Sequence, residues 1–517
     1  MNEKTRLLPK PTFFVFLIIT IGVTLTTVQY LGRSSLTLDE LASAKNIETR
    51  NYYQLATESL DFNQVAPIGF LFTQKAFISI FGTSDYAHRF LPWLASILSI
   101  FLFWQISRQF LTGVYLYSAL LLFCSSVSLF FLGNMAKHYS GELAAVLFLV
   151  WAGLSFSPNK TQGWYWSIGM LGVLCALLSF PAAVMVPGVL ALLYFKHKSE
   201  RSALMNSYLP IAFLWLLGAS LNLIFGKYAV ADRQVFTLMH DYWQQKSGGT
   251  DGEGFPPSLN PLQLLAWIVK NTVELIGAFL FLAPPRPLFA LSLTTFLCSL
   301  PGVVYAAKRK AFSTSVLLLP YLVGIALAVF EFYPWIHRVG RYSIWPFLIL
   351  FPMGLMAVDQ WLKRIVVSRI TQVLSIALPA MVLLIVLVVG QPPIIWQPAE
   401  PVLKELKNAM EPGDMIYVYS KGRYAMERYG PKVGIDHWIA GNPYPQASAY
   451  KKDLNELKGK KRVWFFYTQW TQEQPFPDSI RVYLESMGKQ LKVISKPEGK
   501  GGQQVAAAYL YDLSITK

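Results

Sequence analysis

Long apolar runs dominate the first 390 positions of the chain, and short polar connections separate them. A run of about 20 apolar residues can cross a hydrocarbon core roughly 30 Å thick as an α-helix. Two further apolar runs, 65–82 and 259–282, contain charged residues: Lys75 in the first, Lys270 and Glu274 in the second. A charge is costly in lipid, so these two runs either span the membrane or lie along its surface as amphipathic helices. The uninterrupted runs predict spanning helices at 13–31, 90–108, 112–132, 143–157, 163–180, 182–195, 209–226, 287–306, 314–331, 344–361 and 372–390.

Basic residues in the short connections decide between these two arrangements, because cytoplasmic connections carry an excess of Lys and Arg. If neither ambiguous run crosses and the N-terminus is cytoplasmic, the inner connections contain most of these residues, including Lys196, Lys198 and Arg201. The pattern therefore predicts about eleven transmembrane helices plus interfacial helices. It places two long loops, 32–89 and 227–286, and the C-terminal segment outside. If both ambiguous runs crossed the membrane, the orientation of the whole segment between them would be inverted.

The composition supports a membrane protein and argues against one that binds nucleic acid. Of the 517 residues, 54% are hydrophobic and 14% are charged, which is more apolar surface than a soluble chain can hide. The formal net charge is +16, but many of the basic residues lie between apolar runs, where they fix orientation. We therefore expect no nucleic-acid partner.

The character of the chain changes after Gly390, where Gln391-Pro392-Pro393 ends the last apolar run. We predict a transmembrane catalytic domain at 1–390 and an extracytoplasmic α/β domain at 391–517. Strands alternating with helices suggest a sheet with covering helices. The patterns predict strands at 415–420, 463–467 and 504–511, and helices at 422–429 and 478–489.

Two adjacent carboxylates, Asp39 and Glu40, follow the first apolar run directly. One interpretation is structural: Thr37 or Asp39 caps the next helix. The other is functional, with a carboxylate acting as a general base or metal ligand at the membrane surface. The pattern alone leaves both open.

Two later outer connections also carry charge. In the first, Lys137 and Glu142 sit at the start of a helix, either as interfacial side chains or as a phosphate ligand and a second carboxylate. In the second, Arg338 and Arg341 lie outside, against the positive-inside trend. Arginine donors match phosphate oxygens, so these two contact either ordinary lipid headgroups or the phosphate of a specific lipid.

Taken together, these segments resemble the GT-C superfamily of membrane glycosyltransferases, in the branch of protein O-mannosyltransferases and lipid A aminoarabinose transferases. The resemblance covers roughly 1–390, as an order of short motifs. The motifs are Asp39-Glu40, the proline-containing stretch 64–71, the turn from Gly82 through Asp85 and His88 to Arg89 and Phe90, the element Lys137-His138-Tyr139-Ser140-Gly141-Glu142, and Tyr333-Pro334 with Arg338 and Arg341.

The resemblance implies a role for each matching residue. Asp39 would be the catalytic base, with Glu40 and Glu142 as further catalytic carboxylates, although the family usually has Asp at the position of Glu142. The resemblance allows a divalent metal ion, although the sequence does not supply a full set of metal ligands. It implies no other cofactor. Residues implied to bind the donor phosphate are Lys137, Tyr139, Arg338, Arg341, Lys75 and Arg89.

The expected function is inverting transfer of a sugar from a polyprenyl-phosphate donor to an acceptor outside the plasma (inner) membrane. Membrane lipid and a glycan, lipid or protein acceptor are the other partners. A transporter or flippase of lipid-linked sugars is the main alternative, but transporters often show matching halves, and the sequence has no such repeat. A scaffold subunit is a third interpretation, and it would not need the carboxylate pair.

Overall fold

In the computed structural model, residues 11–32, 35–197, 201–229, 254–281, 286–362, 370–390, 392–441, 447–470, 475–496 and 505–514 are described. Of the predicted outer loop 227–286, only 227–229, 254–281 and 286 lie within these ranges. The chain divides into two compact units. The first contains Met1–Tyr30 and Ile47–Val388, and the second contains Leu31–Asn46 and Val389–Lys517.

The described residues are mainly helical. Their α-helices are α1 Pro11–Gly32, α2 Leu38–Thr49, α3 Tyr52–Thr57, α4 Ile68–Phe81, α5 Asp85–Ser107, α6 Gly113–Cys124, α7 Val127–Phe130, α8 Tyr139–Ser155, α9 Gln162–Leu178, α10 Phe180–His197, α11 Arg201–Ala229, α12 Pro261–Phe281, α13 Arg286–Val329, α14 His337–Gly340, α15 Pro346–Leu362, α16 Ile370–Ile385, α17 Ala399–Ala409, α18 Arg423–Tyr429, α19 Ala447–Asn455 and α20 Pro475–Met487.

Seven of the described helices are long and apolar enough to cross a membrane, or up to nine if each of two bent pairs forms one span. The pairs are α6 with Val127–Asn134, bent by 48°, and His337–Ser343 with α15, bent by 57°. The chain is therefore a multi-pass membrane protein. Of the two ambiguous runs, α12 meets the same criterion of length and composition, whereas the 14 residues of α4 reach only about 21 Å.

One long helical element covers two predicted spans. The sequence predicted separate helices at 287–306 and 314–331, and α13 contains two helices that meet at a kink at Lys310, whose φ and ψ are −144° and 61°. Two glycines let α13 pack closely along α15. A Cβ built on Gly302 would lie 2.1 Å from the carbonyl oxygen of Leu350, and one on Gly354 would lie 1.7 Å from that of Cys298. Small residues permit this backbone approach.

The second unit contains a five-stranded mixed sheet, which confirms the predicted C-terminal α/β domain. The strands are β1 Met415–Val418, β2 Ile439–Ala440, β3 Val463–Trp470, β4 Lys489–Lys496 and β5 Val505–Asp512. Their order is β2-β1-β3-β5-β4. β1 pairs in parallel with β2 and β3, and β5 pairs antiparallel with β3 and β4. The sequence did not predict β2 or β4.

Candidate active site

The start of α8 carries several buried polar side chains. Lys137 is 7% exposed, His138 8% and Glu142 1%. Glu142 lies in the first turn of α8, where the helix dipole favours a negative charge. Because buried polar groups need partners, the contacts of these side chains indicate what this end of the helix does.

Tyr333 is the hydrogen-bond donor to Glu142. Its hydroxyl lies 3.0 Å from Glu142 Oε1 and 3.2 Å from Oε2. Burial raises the pKa of Tyr333 well above its usual value, and the Glu142 carboxylate raises it further. The hydroxyl therefore stays protonated and keeps donating at any physiological pH. Tyr333 is part of the motif Tyr333-Pro334 that carries the resemblance, but it is not one of the predicted site residues.

Arg341 is the most unusual side chain of this region. It is 1% exposed, and none of its three guanidinium nitrogens has a hydrogen-bond partner among the described residues. Glu142 and Tyr139 lie within electrostatic range of it. A buried charge without hydrogen bonds costs several kcal/mol. This geometry suits a guanidinium that receives an anionic ligand.

A small polar surface lies beside Arg341. A Cβ built on Gly133 would lie 2.2 Å from Ser96 Oγ and 3.7 Å from Arg341 Nη2. The Ser96 hydroxyl is fully buried and has no hydrogen-bond partner among the described residues. The absence of a side chain at Gly133 thus lets the Ser96 hydroxyl pack against the backbone here, with Arg341 Nη2 close by. The sequence offered no signal for Ser96, which lies within an apolar run.

Two more cations lie near His138. Burial, together with the charges of Lys137 and Arg338, lowers the pKa of His138 to about 3. The imidazole is therefore neutral at physiological pH. Lys137 Nζ also donates to Gln64 Oε1, and the His138 ring packs edge-on against Phe70, with 5.9 Å between ring centroids. Segment 64–71, segment 134–142 and segment 333–342 thus meet in the first unit.

Three further predicted phosphate ligands lie in the same unit with different surroundings. Tyr139 is 6% exposed and lies within electrostatic range of Arg341. Arg89 is fully buried on α5, within electrostatic range of Tyr30 on α1. Lys75 Nζ donates to the carbonyl oxygens of Ile47 and Glu48, at 2.9 and 3.1 Å. Lys75 therefore caps the last turn of α2.

The acidic pair belongs to the second unit, at the start of α2. Glu40 is fully buried, and its Oε2 accepts a hydrogen bond from the Thr37 backbone N–H at 2.8 Å. This contact is one half of a capping box. The position of Glu40 therefore agrees with the structural interpretation, in which this segment caps the next helix. Asp39 is half-buried in the first turn of the helix, where a carboxylate is stabilised as an anion.

The resemblance allows a divalent ion at this site. Within the described ranges, no three or more His, Cys, Asp or Glu side chains come together as a metal-binding group. The cations Lys137, Arg338 and Arg341 supply positive charge in the region.

No family model matches the chain, and no curated protein matches it. Among solved structures, it is similar to the Archaeoglobus fulgidus oligosaccharyltransferase complex with Zn and sulfate, at 14% identity and a TM-score of 0.49, covering 87% of this chain and 67% of that one. It is also similar to ArnT from Cupriavidus metallidurans bound to undecaprenyl phosphate, at 12% identity and a TM-score of 0.40, covering 96% and 98%.

Proposed function

We propose that this protein is a membrane glycosyltransferase that takes a sugar from a polyprenyl-phosphate donor and passes it to an acceptor hydroxyl. The observation that carries the proposal is Arg341, a fully buried guanidinium without a hydrogen-bond partner among the described residues. Arginine presents donors in a fixed fork that matches two phosphate oxygens. A donor phosphate would satisfy this charge, and Lys137 and Arg338 would add to the positive field.

The chemistry follows from the donor. The sugar is bonded through its anomeric carbon to a phosphate oxygen. Attack by the acceptor oxygen forms the new glycosidic bond while the bond to the phosphate oxygen breaks, so a single displacement inverts the anomeric centre. The leaving phosphate keeps the electron pair and gains negative charge. Arg341, Lys137 and Arg338 would stabilise that charge more strongly in the transition state than in the ground state.

Asp39 is the proposed general base of this reaction. It would take the proton of the acceptor hydroxyl as that oxygen attacks. The assignment rests on the resemblance of Asp39-Glu40 to the acidic motif of the GT-C family. The position of Asp39 in the first turn of α2 supports it, because that turn holds a carboxylate in its anionic form.

The apolar helices supply the route for the donor. A polyprenyl chain dissolves in the bilayer, and its phosphate stays at headgroup depth. We propose that the N-terminus is cytoplasmic, and that the C-terminal domain and the reaction lie on the outer face of the plasma (inner) membrane. Membrane lipid surrounds the first unit in this arrangement, and the acceptor is a glycan, a lipid or a protein.

The test uses purified full-length protein in proteoliposomes, a sugar-labelled polyprenyl-phosphate donor, and an envelope extract as the source of acceptor. We expect wild-type protein to release free polyprenyl phosphate, and Asp39→Asn to bind the donor without releasing it. Labelled donor that crosses the bilayer chemically unchanged would instead identify a transporter. Full turnover by Asp39→Asn would remove the base assignment.

A further inference from the structure

The backbone just ahead of Asp39 is held by three consecutive hydrogen bonds, all within the second unit. The Leu36 N–H donates to the Tyr429 hydroxyl at 2.7 Å. The Thr37 N–H donates to Glu40 Oε2 at 2.8 Å, and the Leu38 N–H donates to Gln397 Oε1 at 2.8 Å. Leu38 is the first residue of α2. Three buried side chains therefore accept hydrogen bonds from amide groups at and just before the start of α2, where the first amides of a helix lack backbone partners.

Two of these three acceptors belong to the C-terminal domain, far away in the chain. Tyr429 lies 393 positions from Leu36, and Gln397 lies 359 positions from Leu38. Tyr429 is fully buried at the end of α18, and Gln397 is 3% exposed. Neither side chain can move without repacking its surroundings, so both provide fixed points for the segment 36–38.

The backbone of Gln397 has a conformation that the surrounding structure must enforce. Its φ is +52°, in the left-handed region that side-chain-bearing residues rarely adopt. The Ser35 hydroxyl accepts the N–H of Glu400 at 3.1 Å, which ties the same stretch to the start of α17. Strained backbone of this kind persists where the structure over-determines it and often serves a site.

We propose that Tyr429, Gln397 and Glu40 are positioning residues for Asp39, and that the C-terminal domain thereby acts on the catalytic base. This inference rests on the proposed function, in which Asp39 is the base. The three side chains fix the backbone of the residues just before Asp39. Proton transfer needs heavy atoms within hydrogen-bond reach, and a misplacement of about 1 Å can cost 100-fold in rate. The domain thus acts on catalysis through the start of α2.

The test compares variants that remove one hydrogen bond each. Tyr429→Phe deletes one hydroxyl, and Gln397→Met removes the acceptor while keeping a similar volume. We expect each to lower kcat roughly 10- to 100-fold and to leave the KM for the polyprenyl-phosphate donor unchanged. Amide exchange of a peptide covering 35–46 should become faster in both variants.

Glu40 supplies a conservative rescue that separates positioning from catalysis. Glu40→Gln keeps an oxygen that can accept the Thr37 N–H, since glutamine serves in a capping box as glutamate does. We expect it to keep at least half of the wild-type kcat, whereas Glu40→Met falls like Tyr429→Phe. An inactive Glu40→Gln with wild-type amide exchange would overturn the positioning role of Glu40.

The matched control is Lys45→Met, on the same helix. Lys45 pairs with Glu427 at 3.0 Å, but its side chain is 44% exposed, so the pair contributes little to stability. We expect Lys45→Met to keep the wild-type kcat, because the three hydrogen bonds donated by the backbone N–H groups of residues 36–38 remain.

Asp39→Asn is measured beside these variants. If Asp39→Asn is inactive while Tyr429→Phe and Gln397→Met keep wild-type kcat, the positioning inference is overturned and the proposed function stands. If Asp39→Asn keeps wild-type kcat, the positioning inference falls together with the base assignment, while the transferase function stands.

Discussion

The hydroxyl of Tyr333 donates to both carboxylate oxygens of Glu142, across 191 positions of the chain. This contact joins the segment between α13 and α14 to the start of α8. It also places Glu142 within electrostatic range of Arg341. Burial raises the pKa of Glu142 to about 8, against the opposing effects of the Tyr333 hydrogen bond and of Arg341.

Tyr333→Phe removes this hydroxyl while keeping the ring. We expect the free energy of unfolding to fall by about 1–3 kcal/mol, because a buried carboxylate loses its donor. Thermal unfolding of purified protein in detergent measures the change. Tyr53→Phe is the control, since that side chain is 75% exposed. Equal midpoints for the two variants would mean that the Tyr333 contact adds nothing to stability.

Gly133→Ala tests the packing beside Arg341. The added methyl group would lie 2.2 Å from Ser96 Oγ, so the serine must rotate, and we expect a loss of about 1–3 kcal/mol from overpacking. We also expect weaker binding of undecaprenyl phosphate. Gly141→Ala is the matched control, because a Cβ there meets nothing within 4 Å. A helical glycine replaced by alanine should gain roughly 0.5–1 kcal/mol. Similar donor affinity in both variants would argue against a ligand beside Gly133.

Lys75→Met separates a structural lysine from a phosphate ligand. Because Lys75 caps two carbonyl groups of α2, we expect a stability loss of about 1 kcal/mol with unchanged donor affinity. Lys160→Met, at an exposed position, should change neither quantity. A fall in donor affinity with no fall in stability would support Lys75 as a phosphate ligand.

Local patterns in the sequence predicted much of the fold. The apolar run at 13–31 became α1, Pro11–Gly32, and the run at 163–180 became α9, Gln162–Leu178. The sequence also offered Thr37 or Asp39 as the cap of the next helix, and α2 begins at Leu38, one residue after Thr37. These features depend on neighbours a few residues apart, so periodicity and capping chemistry are enough to find them.

Contacts between distant residues could not be predicted in this way. Nothing near Tyr333 indicates Glu142 as its partner, and nothing near Gln397 indicates Leu38. The strand β4 was missed because it lies at the edge of the sheet, where Leu491 and Val493 are 46% and 43% exposed. Edge strands often carry lysines, as β4 does, which weakens the alternation of apolar and polar residues. The prediction therefore extended the preceding helix to 489, two residues beyond the end of α20.

Binding of undecaprenyl phosphate to the buried Arg341 tests the central claim most directly. A ligand at 100 times its Kd stabilises the folded protein by about 2.7 kcal/mol. We predict that wild-type protein and Arg309→Gln show this donor-induced rise in thermal midpoint, while Arg341→Gln does not. Arg309 is the matched control, because it already pairs with Gln360 Oε1 at 3.2 Å and stacks near Tyr305. An undiminished rise in folded Arg341→Gln would contradict the assignment of Arg341 to the donor phosphate.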